Sequence, residues 1–233
     1  MITVATWNVL HRIHADNWAS EVADRWPDES DRIAAVAERV AARTEDVIAL
    51  QEVSGDQLAT LRKRVPDRHF HVLDYPRVPT PRRLPNVLDL HTEHLVLITA
   101  DDGREVAAES FASDGGKGLI AVELAGIRFI ATHVTGDRRR PAQLERLVEV
   151  STPGPAVLLG DFNLGRDALA QAIGPEYTIA EPDSAAVSTR PRTSGTKSQY
   201  IDHVVTRGIP VRGMVVEEVA GESDHNLVRA IVG

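Results

Sequence analysis

Polar residues of one chemical kind, Asn, Glu, His and Asp, punctuate short apolar runs along the whole 233-residue chain. Four runs lead into Thr-Trp-Asn-Val (Thr6 to Val9), Gln-Glu-Val (Gln51 to Val53), Thr-His-Val (Thr132 to Val134) and Gly-Asp-Phe-Asn (Gly160 to Asn163). A fifth polar group, Ser-Asp-His-Asn (Ser223 to Asn226), precedes the last run. Each run reads as a buried strand. Because an α/β sheet gathers the ends of distant strands at one edge, these five positions are expected to meet.

The remaining pattern agrees with a layered α/β chain. A first strand runs from Ile2 to Trp7 and ends at Asn8, and Ser30 is placed to cap a helix bearing Ile33, Val36, Ala37 and Val40. Asp46 to Leu50 predicts a buried strand delivering Gln51 and Glu52. Ser54 and Gln57 then form a capping box that opens a helix with Leu58, Leu61 and Val65 on one face. Further strands are predicted at His69 to Leu73, His94 to Thr99, Ala156 to Leu159, Tyr200 to Thr206, Val211 to Val219 and Leu227 to Val232. Leu119 to Leu124 and Ile127 to Thr132 form a hairpin across Ala125-Gly126. Helices are predicted from Pro141, a good first-turn residue, and over Arg166 to Ile173. A proline-rich loop spans Tyr75 to Pro85, and a polar loop spans Ser184 to Ser198. Two βα segments among hairpin-like pairs predict a mixed-sheet sandwich. No repeat or linker divides the chain, so residues 1–233 are expected to form a single domain.

Composition narrows the functional classes. Hydrophobic residues at 42% supply a substantial core, and 26% charged residues is ordinary for a soluble protein. No apolar run approaches the roughly 18 residues of a membrane span, and Met1 leads straight into strand-like residues, so no signal peptide is expected. The lack of cysteine excludes disulfides and thiolate metal sites and suits a cytoplasmic protein. Net charge is −8, from 26 Lys+Arg against 34 Asp+Glu. Gripping duplex backbone by charge ordinarily takes a basic protein. The balance therefore points to a small phosphate, a nucleic-acid end or a locally basic groove.

The punctuating residues carry a coherent chemistry. Glu52 at a buried strand end is a hard oxygen ligand of the kind Mg²⁺ or Mn²⁺ prefers, and Asn8 is either a neutral second ligand or a group that orients the carboxylate. Gly160 permits a tight turn at Asp161 and Asn163. Asp161 can take a proton from, or orient, an attacking water, and Asn163 offers an N–H to a phosphate oxygen. His225, protonated, can stabilise charge building on phosphorus; it needs a carboxylate partner, for which Asp202 is the best candidate. Alternation lets only one of Asp202 and His203 face the site. Asp224 can touch the metal instead. His133 is a second imidazole, equally readable as structural. The other histidines show no zinc-motif spacing.

The ordered set Trp-Asn, Gln-Glu-Val, Thr-His, Gly-Asp-Phe-Asn, Ile-Asp-His and Ser-Asp-His resembles the endonuclease/exonuclease/phosphatase superfamily over residues 2 to 232. The resemblance implies a four-layer α/β sandwich, two mixed sheets flanked by helices, with the site at one edge. It implies Mg²⁺ or Mn²⁺ held chiefly by Glu52 with Asn8 beside it. It further implies in-line attack by water oriented by Asp161, Asn163 and His133, with His225 supported by Asp202 and Asp224 as a further acid near the metal. Lys117 stands where relatives often carry a basic residue, reaching phosphate or lying on a flexible turn. A proline common in the family two residues after the final His is absent here, where Asn226-Leu227 stands instead.

The opening Asn-Val-Leu-His-Arg-Ile-His is similar to the Angel/deadenylase branch, which implies an RNA end, either a 3′ tail or a 2′,3′-cyclic phosphate. Arg138, Arg139 and Arg140, with Arg77, Arg82 and Arg83, can line an RNA path or simply face solvent. Four Phe, three Trp and three Tyr leave few stacking platforms. The expected function is metal-dependent phosphoester hydrolysis by a monomer, in nucleic acid and in RNA before DNA. The alternatives are a phospholipid or inositol phosphate substrate, and a catalytically silent binding module of the same fold.

Overall fold

The computed structural model describes residues 1–18, 20–82, 87–182, 187–191 and 199–233. Arg83 and most of the polar loop predicted over Ser184 to Ser198 lie outside them. In chain order the first half comprises β1 (Ile2–Asn8), α1 (Arg12–Asn17), α2 (Glu21–Arg25), α3 (Glu29–Ala41), β2 (Val47–Ser54), α4 (Gly55–Arg64), β3 (His69–Asp74) and β4 (Glu93–Thr99). The second half comprises β5 (Arg104–Phe111), β6 (Asp114–Leu124), β7 (Ile127–His133), α5 (Arg140–Ser151), β8 (Ala156–Asp161), α6 (Arg166–Ile173), β9 (Tyr177–Ile179), β10 (Asp202–Arg207), β11 (Val211–Glu217) and β12 (Leu227–Val232).

Side chains that alternate across each strand build the layers. Val4, Val47, Ala49, Phe129, Ala131, Val157, Leu159 and Val204 meet in a core between the two sheets. Their neighbours on the opposite faces turn outward. Ala5, Trp7, Ile48 and Leu50 pack under α3 and α4, while Ile130, Leu158 and Val205 pack under α5 and α6. Two six-stranded sheets result, ordered β11-β12-β1-β2-β4-β3 and β5-β6-β7-β8-β10-β9. Each is mixed, with one parallel pair at its centre, β1 with β2 and β7 with β8. This is the predicted four-layer sandwich. Among the described residues no helix is long and apolar enough to cross a membrane.

The structure corrects several local expectations. The helix of residues 29–41 is capped by Asp28, whose side chain accepts from the Ser30 N–H at 2.9 Å, two residues earlier than predicted. Burial of Ile13, Ala15 and Val22 organises α1 and α2 in a stretch that reads from sequence as a polar connection. Arg32, fully buried, donates to the carbonyls of Val9 (2.9 Å), Leu10 (2.8 Å) and Glu222 (2.7 Å) and pairs with Glu29 at 2.6 Å. That one guanidinium satisfies carbonyls beside both β1 and β12, and its burial is tolerated because it is paired. The Ser54–Gln57 capping box is present as predicted.

Gly160 serves a different purpose from the tight turn expected of it. It lies within β8, opposite Thr132 of β7. A Cβ at this position would overlap the Thr132 carbonyl oxygen. The residue is glycine because two backbones approach closely, just where the site begins. Gly160→Ala should therefore cost about 3 kcal/mol, the upper end of overpacking penalties, read as a lowered urea midpoint; an unchanged midpoint would refute the close-approach explanation.

Candidate active site

The polar strand ends meet at one edge of the sandwich. Asn8 and Gln51 are paired across β1 and β2, His133 and Asp161 across β7 and β8, and Asp202 and Asp161 across β10 and β8. Glu52 is aimed by an irregularity. The pairing of β2 with β4 slips between Leu50 and Val53, and Glu52 adopts a left-handed φ of 58°. Such backbone costs a non-glycine residue on the order of 1 kcal/mol and is characteristically found where a side chain is held for use.

Asn8 links two carboxylates. Its Nδ2 donates to Glu52 Oε1 at 3.1 Å and to Asp161 Oδ2 at 3.3 Å, while its Oδ1 accepts from the Leu10 N–H at 3.0 Å. The amide nitrogen faces Glu52. Asp161 Oδ1 accepts from the Asn163 backbone N–H at 2.8 Å, and Asn163 Nδ2 donates to the Val134 carbonyl at 2.9 Å. His133 is buried, with Nε2 3.5 Å from Asp161 Oδ2 and 3.8 Å from Glu52 Oε1. Lys117 lies on strand β6, not on a flexible turn, with Nζ 3.1 Å from His133 Nδ1.

On the other side, His225 Nδ1 donates to Asp202 at 2.9 and 3.0 Å. His203, the adjacent residue, points away and donates from Nε2 to the Leu164 carbonyl at 2.8 Å. Asp224 Oδ2 is held by Arg190 at 2.8 Å, and its Oδ1 is buried without a hydrogen-bond partner among the described residues, 3.9 Å from His225 Nε2. The Trp7 indole N–H donates to the His225 carbonyl at 2.9 Å, and Ser223 Oγ donates to the Asn8 carbonyl at 2.6 Å. Strand β1 and the loop before β12 thus fix each other's site residues.

These placements set the charges. Burial alone would keep His225 neutral, but Asp202, Asp224 and Asp161 outweigh it and push the imidazole up to about 10. Burial and the nearby charge of Asp202 raise Asp161 to about 6. Burial, reinforced by Lys117, holds His133 well below the usual histidine range. Burial opposes ionisation of Glu52, yet His14, His133 and Lys117 hold its carboxyl well below the usual range. The site therefore pairs an imidazolium with a neutral imidazole, and a firm carboxylate with one poised near neutrality.

Two further residues of this edge are not among the site residues expected from the sequence. His14 reaches it from α1 and Glu93 from the start of β4, with His14 Nε2 3.3 Å from Glu93 Oε2. With Glu52 they bring three ligand atoms within 4.8 Å of one another, and Asp161, Asp202 and His225 form a second such trio. Carboxylates beside an imidazole are a fitting donor set for a divalent cation. The cavity at this edge, about 260 Å³ and lined by His14 and Glu52, also receives Lys117, Asn163, Arg190 and Trp18. Three of the arginines proposed for an RNA path have partners nearby, and Arg77 itself lines the cavity. Arg139 pairs with Asp137 and Asp114, Arg77 pairs with Asp114, and Arg140 donates to the Asn163 and Gly136 carbonyls.

Comparison with known proteins agrees with this fold. The family described as "Endonuclease/Exonuclease/phosphatase family" matches residues 5–225. No curated protein sequence matches the chain significantly. Among solved structures, an endonuclease/exonuclease/phosphatase from Bacteroides vulgatus is similar at TM-score 0.72 and 16% identity, covering 100% of this chain and 98% of that one. A mannosyl-6-phosphatase from Bacteroides thetaiotaomicron is similar at TM-score 0.70 and 16% identity, covering 100% of both chains. TDP2 from D. rerio, complexed with a single-strand DNA product, is similar at TM-score 0.68 and 15% identity, covering 100% of this chain and 98% of that one.

The His225–Asp202 pair makes a signed prediction. Removing the charge with Asp202→Asn should lower the His225 titration measured by NMR from its value of about 10; Asp224→Asn should lower it less. In the parent protein the folded-state value near 10 exceeds the unfolded one. The pair's stabilisation is then complete below about pH 6.5 and disappears as pH rises toward 10. Urea midpoints should decline across that window, and Asp202→Asn should flatten the decline. A variant with the parent's slope would show that the pair does not control it.

Proposed function

The chain belongs to the endonuclease/exonuclease/phosphatase family, and from that premise we propose that it is a metal-dependent hydrolase of terminal phosphoesters, with RNA ends as the favoured substrate. The observation that carries the reading is the convergence of Glu52, His133, Asp161, Asn163 and His225 on one cavity. Its volume, about 260 Å³, lies below the ~300–1,000 Å³ typical of drug-sized ligands. It suits a phosphate and its immediate attachment, with the rest of the substrate outside.

Glu52 is the principal residue to hold Mg²⁺ or Mn²⁺, with Asn8 fixing its orientation. Asp224, committed through one oxygen to Arg190, offers the other toward His225. A cation bound at Glu52 supplies polarisation of the phosphoryl oxygen and stabilisation of the leaving oxyanion. Asp161, ionised above about pH 6, takes the proton of the attacking water. Its own position is fixed by the Asn8 amide and the Asn163 N–H. His225, kept protonated by Asp202, faces the charge that accumulates on phosphorus. Asn163 offers its remaining amide hydrogen to a nonbridging oxygen. Neutral His133, with Lys117 against its ring, presents a second contact to the phosphate without adding a competing proton donor of low pKa.

Trp18 supports a base-bearing substrate. It is 71% exposed at the cavity rim, with the Arg82 guanidinium 4.8 Å from its ring centroid. Base stacking on an aromatic ring contributes about 1–3 kcal/mol, enough to select a nucleotide end. Arg139 and Arg140 are held by neighbouring groups, whereas Arg77, paired with Asp114, lines the cavity itself; with the positive charge gathered at the cavity, the ester should be terminal. A small phosphosugar is the second reading. It is favoured by the cavity's size and by the full-length likeness to the mannosyl-6-phosphatase.

A panel of RNA with a 3′ tail, RNA ending in a 2′,3′-cyclic phosphate, single-stranded DNA, mannose 6-phosphate and inositol phosphates separates these readings. Turnover of the RNA substrates with Mg²⁺ or Mn²⁺ is expected; a protein inert toward every member is not a phosphoesterase. Asp161→Asn should lower kcat by about 10²–10⁴, and the parent's kcat/KM should rise through about pH 6 as Asp161 ionises. Trp18→Ala should reduce kcat/KM by roughly 5- to 150-fold on nucleotide ends and leave phosphosugar turnover, if any, nearly intact.

A further inference from the structure

The buried carboxylate of Glu93 has no part in the phosphate chemistry described above, yet it stands beside that site. It begins β4 opposite Ser54, so the bulge in β2 places Glu52 next to it. Glu93 is 2% exposed, and its Oε2 lies 3.3 Å from His14 Nε2. The imidazole reaches in from α1, whose position is set by the burial of Ile13 and Ala15 and by the His11 side chain accepting from the Ile13 N–H. His14, Glu52 and Glu93 each present one ligand atom within 4.8 Å of the other two. Adjacent ligand atoms around a small divalent ion at about 2.1 Å stand about 3 Å apart; the His14–Glu93 separation is close to that.

Two further observations point to a cation here. Tyr75 is buried, and its hydroxyl has no hydrogen-bond partner among the described residues. Its backbone N–H donates to the Glu93 carbonyl at 3.0 Å, which sets the residue beside this cluster. Secondly, two carboxylates face one imidazole in this cluster. Carboxylates crowded together away from water are costly unless balanced, and Lys117 offsets part of their charge. A dication balances them.

We propose that His14 and Glu93 complete the metal position with Glu52, making it a two-carboxylate, one-imidazole centre that selects Mn²⁺ over Mg²⁺. The inference rests on the hydrolase reading only in sharing Glu52. Its selectivity comes from donor chemistry. Mg²⁺ favours all-oxygen surroundings and keeps its waters, whereas Mn²⁺ lies in the transition series for which an imidazole nitrogen is a better ligand.

Mn²⁺ itself is the probe, used with the full-length chain. Pulsed electron paramagnetic resonance of Mn²⁺ bound to the parent protein should show coupling to a directly ligated imidazole nitrogen, and His14→Gln should abolish it. Calorimetric titration should show Mn²⁺ binding weakened at least about tenfold in His14→Gln and in Glu93→Gln, with a smaller loss of Mg²⁺ affinity in His14→Gln. Absence of nitrogen coupling in the parent, its survival in His14→Gln, or unchanged Mn²⁺ affinity in both variants overturns the proposal. Measured on the parent, the first readout stands even if a variant fails to fold. The two readings fail separately. Phosphoester turnover without nitrogen ligation sinks this proposal alone, and Mn²⁺ ligation by His14 without any turnover sinks the hydrolase reading alone.

Discussion

Burial of both faces of the central strands governs everything else in this protein. β1 and β2 in one sheet, and β7 and β8 in the other, are covered by the opposing sheet on one side and by helices on the other. Along such strands a charged side chain would have no water and no partner. Charge is therefore displaced to the strand ends, and parallel pairing puts the ends of partners on one edge. The edge becomes chemically dense because the interior of the sandwich excludes polarity. The same constraint makes Gly160 necessary, since β7 and β8 must approach closely up to the residue where the polar cluster starts.

Within the cluster, environment assigns opposite states to like residues. His225 and His133 are both buried, and Asp202 against one and Lys117 against the other drive them apart. Glu52 and Asp161 are both buried carboxylates tied to the same Asn8 amide. Glu52 is surrounded by basic groups, whereas Asp161 feels Asp202. Such divergence among paired titratable groups is how one site supplies both proton acceptor and cation at one pH. Asn8 is central because its amide hydrogens keep the two carboxylates at fixed separation.

Residue period made the interior legible in the chain. Apolar runs located the interior strands, and alternation allowed only one of Asp202 and His203 to face inward; Asp202 sits on His225, and His203 on the Leu164 carbonyl. Helix α6 and strand β12 occupy their predicted spans because apolar spacing is unambiguous there. Features that depend on tertiary contact were not legible. β5 is half-exposed and polar, so its strand character comes from pairing with β6. The bulge that turns Glu52 is a slip between strands, with no residue signal of its own. His14 and Glu93 sit 79 positions apart on elements brought together by tertiary packing, so their pairing carries no signal in the sequence. Lys117 looked like part of a glycine turn, yet the glycines around it allow β6 to lie close to its neighbours.

Strand β1 lies inside its sheet, between β12 and β2. The Trp7 indole holds the His225 carbonyl, Ser223 holds the Asn8 carbonyl, and Arg32 joins Val9 and Leu10 to Glu222. During synthesis β1 therefore leaves the ribosome long before β12, the partner that closes its sheet. A chain not yet extended past the loop before β12 has neither His225 nor the backbone contacts that set Asn8. The polar cluster at the sheet edge is therefore complete only when the last stretch of the chain has been made.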